Sequence, residues 1–245
     1  MRILILSLIF LGLANAASFE DKLVSLIEKQ ASGNESIKVK VVSKSDLKSS
    51  KDIKFVIIEL THNKQRIPVF VTKNADMVVG VSNIFFTNQG DDETLITKQL
   101  KELETHNENS QTIAAGELIK QLKPEQFITL KSKAKNAKTI FVIADPNCGY
   151  CKEEFRNIDK RLKTENINVV MVGILGEDSL KKAAWITNKI KSSDSEKVKL
   201  EALQEVFSNN FKAPQNIDIN NVKETTNFLF KTGVIRGVPY IYEVK

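Results

Sequence analysis

With 245 residues, 42% hydrophobic and 27% charged, the chain has the composition of a globular protein large enough for two domains. Its formal charge of +6 does not mark a nucleic-acid surface: Lys and Glu are interspersed, as from Lys98 to Glu104, and the acid-free run Lys131, Lys133, Lys135, Lys138 is short and lacks aromatic residues. Two cysteines and two histidines, His62 and His106, are too few and too widely spaced for a structural zinc site of about four ligands.

Met1-Arg2 opens a short positive segment, Ile3 to Leu13 is almost wholly apolar, and Ala14-Asn15-Ala16 supplies a small-x-small cleavage site. This pattern predicts a secretory signal peptide over 1–16, with Ala17 as the first mature residue and a mature charge of about +5 once Arg2 is gone. No later segment is long and apolar enough to span a bilayer, so a soluble exported product is expected. Export points to an oxidising compartment, best a bacterial periplasm.

Residues 17–86 read as a small α+β domain. Phe19, Leu23, Val24 and Ile27 mark one face of a helix, broken at Gly33-Asn34. Ile37, Val39 and Val41 alternate with lysines as a half-buried strand, and Ile53–Leu60, Ile67–Val71 and Met77–Val81 read as three more. Pro68 places the Ile67–Val71 strand at an edge or a bulge. His62, in a polar turn, and His106 read as bystanders. A unit this small with an open sheet is expected to pair with a second copy.

Residues 87–125 read as a helical linker in two pieces. One begins at Asp91-Asp92-Glu93 and ends near His106-Asn107, and a shorter one runs over Ala114–Leu122.

Residues 126–245 carry the chemistry. Phe127–Leu130 reads as a first strand, and the apolar run Thr139–Ala144 as a second. That second strand delivers Cys148-Gly149-Tyr150-Cys151 to a helix marked by Phe155, Ile158 and Leu162, and the apolar run Ile167–Leu175 follows as a central strand. Strand, helix, strand is a βαβ crossover, so a parallel pair is expected. A helical insertion follows over 176–212, with Trp185 left undecided between core and surface. A last helix, Asn221–Lys231, then leads to Gly237-Val238-Pro239 and a final strand.

A thiol with a pKa of roughly 8.5 is mostly protonated at neutral pH, whereas the thiolate is the nucleophile. A cysteine in the first turn of a helix faces unpaired backbone N–H groups and the positive end of the dipole. Cys148 is therefore expected to attack, and Cys151, one turn on, to resolve the mixed disulfide. Covalent haem attachment is excluded because Lys152, not His, follows the second cysteine, and a purely structural bridge would close too small a loop to stabilise much. The expected cofactor set is none beyond the redox-active disulfide Cys148–Cys151, with no metal.

Signal peptide, small N-terminal domain, helical linker and a Cys-Gly-Tyr-Cys domain with a helical insertion resemble the DsbC/DsbG family of periplasmic thiol-disulfide isomerases over essentially the whole mature chain. The resemblance implies a thioredoxin-like catalytic domain and a V-shaped homodimer joined through the N-terminal domains. It also implies a cis Pro239 beside Cys148, with Val238 hydrogen-bonding an extended substrate and Gly149 and Tyr150 completing the active-site loop. Val238 stands where the isomerases usually have Thr and is more like the DsbA oxidases. The second, structural cysteine pair of DsbC is absent here. Typical members continue past the proline through another strand and a helix, so the sheet is expected to be completed differently or covered by the linker region.

The expected activity is isomerisation or reduction of disulfides in exported proteins, with a membrane reductase as redox partner and no nucleic acid. The alternatives are a dithiol oxidase served by a quinone-linked membrane partner, reduction of haem-attachment cysteines, and a dimeric chaperone with secondary redox activity.

Overall fold

The computed structural model describes residues 17–31, 37–80 and 85–244. The expected leader (1–16), the helix break at Gly33-Asn34 and the strand end at Val81 lie outside the described residues. The chain divides into two units, the first ending at Ser110 and the second beginning at Gln111.

The first unit holds α1 (Phe19–Ala31), β1 (Val39–Asp46), β2 (Ile53–Leu60), β3 (Arg66–Thr72), β4 (Val78–Gly80) and most of α2 (Gly90–Ile119). The four strands form an antiparallel sheet in the order β1-β2-β3-β4. Ser18 starts α1 by accepting the Asp21 N–H at 3.1 Å while the Asp21 carboxylate accepts the Ser18 N–H at 3.2 Å, a reciprocal cap. Phe55 through Ile58 on β2 are all buried, because the sheet is covered on both faces. Val56 and Ile58 pack with Leu23 of α1, and Phe55 and Ile57 pack with Ile96 of α2.

Two expectations change here. First, β3 is an inner strand and not an edge. Pro68 pairs with Ile57 of β2, and the described residues of β4 pair with Val69, Phe70 and Val71. Second, α2 is one helix of 30 residues in place of two pieces. The polar stretch between the expected pieces contains no Gly or Pro to break it, and two side chains at its start find partners on β3 and in the turn before it. Asn107 accepts the Arg66 N–H at 2.7 Å and donates to the Arg66 carbonyl at 2.9 Å, and His106 Nε2 lies 3.0 Å from the Lys64 carbonyl. At the helix start, the buried Asp92 carboxylate accepts the backbone N–H groups of Lys48 and Ser49. Glu59 is a buried carboxylate on β2, and burial alone would raise its pKa. Hydrogen bonds from Lys40 and Arg66 outweigh that and leave it below the usual range.

The second unit is built on a four-stranded sheet ordered β5-β7-β6-β8, where β5 is Ile128–Leu130, β6 Lys138–Ala144, β7 Glu165–Met171 and β8 Tyr240–Glu243. β6 and β7 are parallel, joined through α3 (Gly149–Arg156) and α4 (Ile158–Arg161), and the other two pairings are antiparallel. The insertion forms α5 (Glu177–Lys189) and α6 (Glu196–Val206), and α7 (Asn220–Phe230) precedes the last strand.

Alternation along β6 and β7 feeds two cores. Val142 and Val169 face a layer containing Cys151, Phe155, Ile158 and residues of α5 and α6. Ile143 and Val170 face Ala115, Ile119 and Leu229. The C-terminal turns of α2 thus cover the sheet beside β8, with Tyr240 and Tyr242 packed against them. Gly116 permits the approach: a Cβ there would lie 2.7 Å from the Tyr242 Cζ. Trp185 is half-buried, packed on Phe211 with ring centroids 4.4 Å apart and with the Lys189 ammonium 4.2 Å from its ring centroid.

Candidate active site

β6 ends at Ala144, and the next seven residues bring both sulfurs to the start of α3. Asp145 begins the turn: its carbonyl accepts the Cys148 N–H at 3.1 Å. Its fully buried carboxylate accepts the N–H of Asn147 at 2.8 Å and of Leu175 at 3.0 Å, tying the loop after β6 to the loop after β7. Cys148 is the N-cap residue of α3, in extended conformation (φ −73°, ψ 125°), and its carbonyl accepts the first helical bond from Lys152 at 3.0 Å.

The two thiols occupy different environments. Cys148 is 8% exposed and Cys151 is wholly buried, and neither is bonded to the other. Burial pushes the Cys151 thiol far above its ordinary pKa; a hydrogen bond with the Asp145 backbone opposes the rise, and the adjacent Cys148 sulfur adds to it. The Cys148 thiol donates to the Val238 carbonyl, with Sγ 3.3 Å from the oxygen. The Val238–Pro239 peptide bond is cis, and both residues are half-buried beside the sulfur. Gly149 has open space where a Cβ would stand, and Tyr150 is 78% exposed. All six residues singled out from the sequence therefore gather at one end of α3.

Three residues around the loop carry no signal of their own in the sequence. The Lys182 ammonium, nearly buried on α5, donates to the Asn147 Oδ1 and reaches the Asp178 carboxylate, both at 2.9 Å. The Asn147 Nδ2 donates to the same carboxylate at 2.8 Å. Hydrogen bonds from Lys182 and then Asn147 hold the Asp178 carboxyl below the usual carboxylate range. The i,i+4 pairing of Asp178 with Lys182 is legible on a helix, but its closure on Asn147, more than 30 residues away, depends on the fold.

A model of the N-terminal region of the disulfide isomerase DsbG matches residues 23–115. The structure of Helicobacter pylori DsbG is 32% identical, covering 92% of this chain and all of that one, with a TM-score of 0.53. The chain belongs to the DsbG family. It is therefore a thiol-disulfide oxidoreductase with a thioredoxin-like domain, acting in thiol-disulfide interchange. More distant likenesses include a disulfide interchange protein from Neisseria gonorrhoeae, 21% identical over 49% of this chain and 81% of that one, with a TM-score of 0.37. A periplasmic thioredoxin-like protein from Salmonella enterica serovar Typhimurium is 14% identical over 54% of this chain and 83% of that one, with a TM-score of 0.41. No curated protein matches the chain.

Proposed function

We propose that this DsbG-family protein isomerises or reduces disulfides in exported proteins, with Cys148 as nucleophile and Cys151 as resolving thiol. The observation that carries this reading is the asymmetry of the pair. One sulfur sits at a helix start with an exposed edge, and the other is sealed behind it with its thiol held protonated by burial.

The Cys148 thiolate attacks one sulfur of a substrate disulfide, forming the Cys148–substrate bond as the substrate's S–S bond breaks and its second sulfur leaves as thiolate. In isomerisation, a different substrate thiolate then attacks the substrate sulfur of the mixed disulfide. The rearranged pairing forms and the Cys148 thiolate returns, with no net electron transfer. In reduction, Cys151 gives up its proton and attacks the Cys148 sulfur. The substrate leaves as thiolate and the two electrons it gains come from the pair, now oxidised to Cys148–Cys151. A protonated, buried Cys151 slows this second route and lengthens the life of the mixed disulfide, which favours rearrangement. The Val238–Pro239 segment borders the reacting sulfur and is where an extended substrate backbone would dock.

The predicted signal peptide at 1–16 supports a periplasmic location, and the match to the DsbG N-terminal model supports a homodimer formed through that region. A membrane reductase would keep the pair reduced. A second reading, a dithiol oxidase recharged by a quinone-linked membrane partner, is favoured by Val238 in place of the isomerases' Thr. The two differ in the resting state of the pair. Acid quenching of intact cells and alkylation with a mass-shifting maleimide is expected to find Cys148 and Cys151 mainly reduced. A mainly oxidised pair would overturn the isomerase reading in favour of the oxidase.

A further inference from the structure

Cys148, Lys152 and Arg156 stand four residues apart and share one stripe of α3, while Cys151 and Phe155 face the core. Beside this stripe lies a pocket of about 310 Å³ reached from solvent, lined by Lys152 and Arg156 on α3 and by Gln204, Phe207 and Asn209 on and after α6. Its floor is apolar. Phe155 and Phe207 are stacked with centroids 4.0 Å apart and planes inclined by 6°, and both are nearly inaccessible. Among the described residues, no carboxylate lines it. Lys152 donates to the Asn209 Oδ1 at 3.1 Å, a neutral acceptor that leaves its charge uncompensated. Among the described residues, neither Lys152 nor Arg156 is in a salt bridge. Arg156 in the last turn also complements the helix dipole, but Lys152 has no such role. Two cations over an apolar floor attract an anion more strongly than the same charges in open water.

From this charge arrangement we infer that the pocket receives a carboxylate side chain of the protein held in mixed disulfide with Cys148. At 1.5 Å rise per residue, Lys152 and Arg156 lie about 6 and 12 Å along the helix from Cys148. An extended client spans about 3.3 Å per residue, so its Asp or Glu falls into the pocket when it lies two to four residues from the reacting cysteine. The pocket thereby selects among client cysteines by their acidic neighbours. This inference rests on Cys148 being the nucleophile.

The test uses the full chain as its Cys151→Ser variant, which stops after one exchange. Peptides carry one cysteine bonded to thionitrobenzoate and, three residues on, Asp, Asn or Lys. The Cys148 thiolate attacks the peptide sulfur, the peptide–thionitrobenzoate bond breaks, and coloured thionitrobenzoate leaves with the electron pair. At low ionic strength the Asp peptide is expected to react about fivefold to tenfold faster than the Lys peptide. Salt should shrink that ratio toward one. Adding Lys152→Gln with Arg156→Gln should abolish it, and adding Lys152→Glu with Arg156→Glu should invert it. Both side chains reach solvent, so these variants are expected to fold, to be checked by thermal melting. Equal rates for the three peptides on the unaltered pocket would overturn the inference, as would a preference that persists in both double variants. Release from none of the peptides would instead refute Cys148 as nucleophile, and the pocket's role with it.

Discussion

Replacing Cys148 with serine is expected to lower disulfide interchange on the order of a thousandfold or more, since nothing else in the site can take over the attack. Cys151 is the only other sulfur among the chain's nucleophiles, and it is fully buried. Its thiol is also pushed well above its ordinary pKa, so almost none is thiolate at neutral pH. Reactivation of scrambled ribonuclease with a fixed reduced-thiol buffer measures the loss against the uncatalysed rate. A Cys148→Ser protein retaining more than about a tenth of the activity would show that the attacking sulfur had been misassigned.

The second large effect is on stability. Phe155→Ala is expected to cost about 3–5 kcal/mol, because Phe155 is 1% exposed and loses both its burial and its stacking on Phe207. For a unit of this size that lowers Tm by about 10 °C or more, read by circular dichroism or calorimetry. The loss falls where it matters for the chemistry: Phe155 follows Cys151 by four residues and anchors α3 to α6, so it holds the helix that presents both sulfurs. Loss of less than about 1 kcal/mol would mean that the α3–α6 contact does not hold the site in place.

The parts of this molecule written in local pattern were legible before any coordinates. The cysteine spacing, the apolar run into it and the helical period after it marked the strand that ends just before the cysteines and the helix that begins at them. The β2 boundaries at Ile53 and Leu60 and the parallel pairing of β6 with β7 follow from equally local signals. The misreadings share a different cause. The polar stretch at His106-Asn107 looked like a helix end because its partners, Lys64 and Arg66, lie some 40 residues away. Pro68 looked like an edge residue because the pairing of β4 alongside β3 is not written in β3 itself. The Asn147–Lys182–Asp178 cluster and the cover that α2 gives to β8 are likewise long-range facts. Local chemistry shows in a sequence, whereas side chains that serve a distant backbone do not.

The most direct measurement is to trap the intermediate. A Cys151→Ser protein incubated with an oxidised client should accumulate a covalent complex, and peptide mass spectrometry after blocking free thiols should locate its disulfide at Cys148. That outcome establishes Cys148 as the attacking sulfur and Cys151 as the one that releases the client. A client that emerges reduced or rearranged while no Cys148-linked species can be trapped would contradict the account.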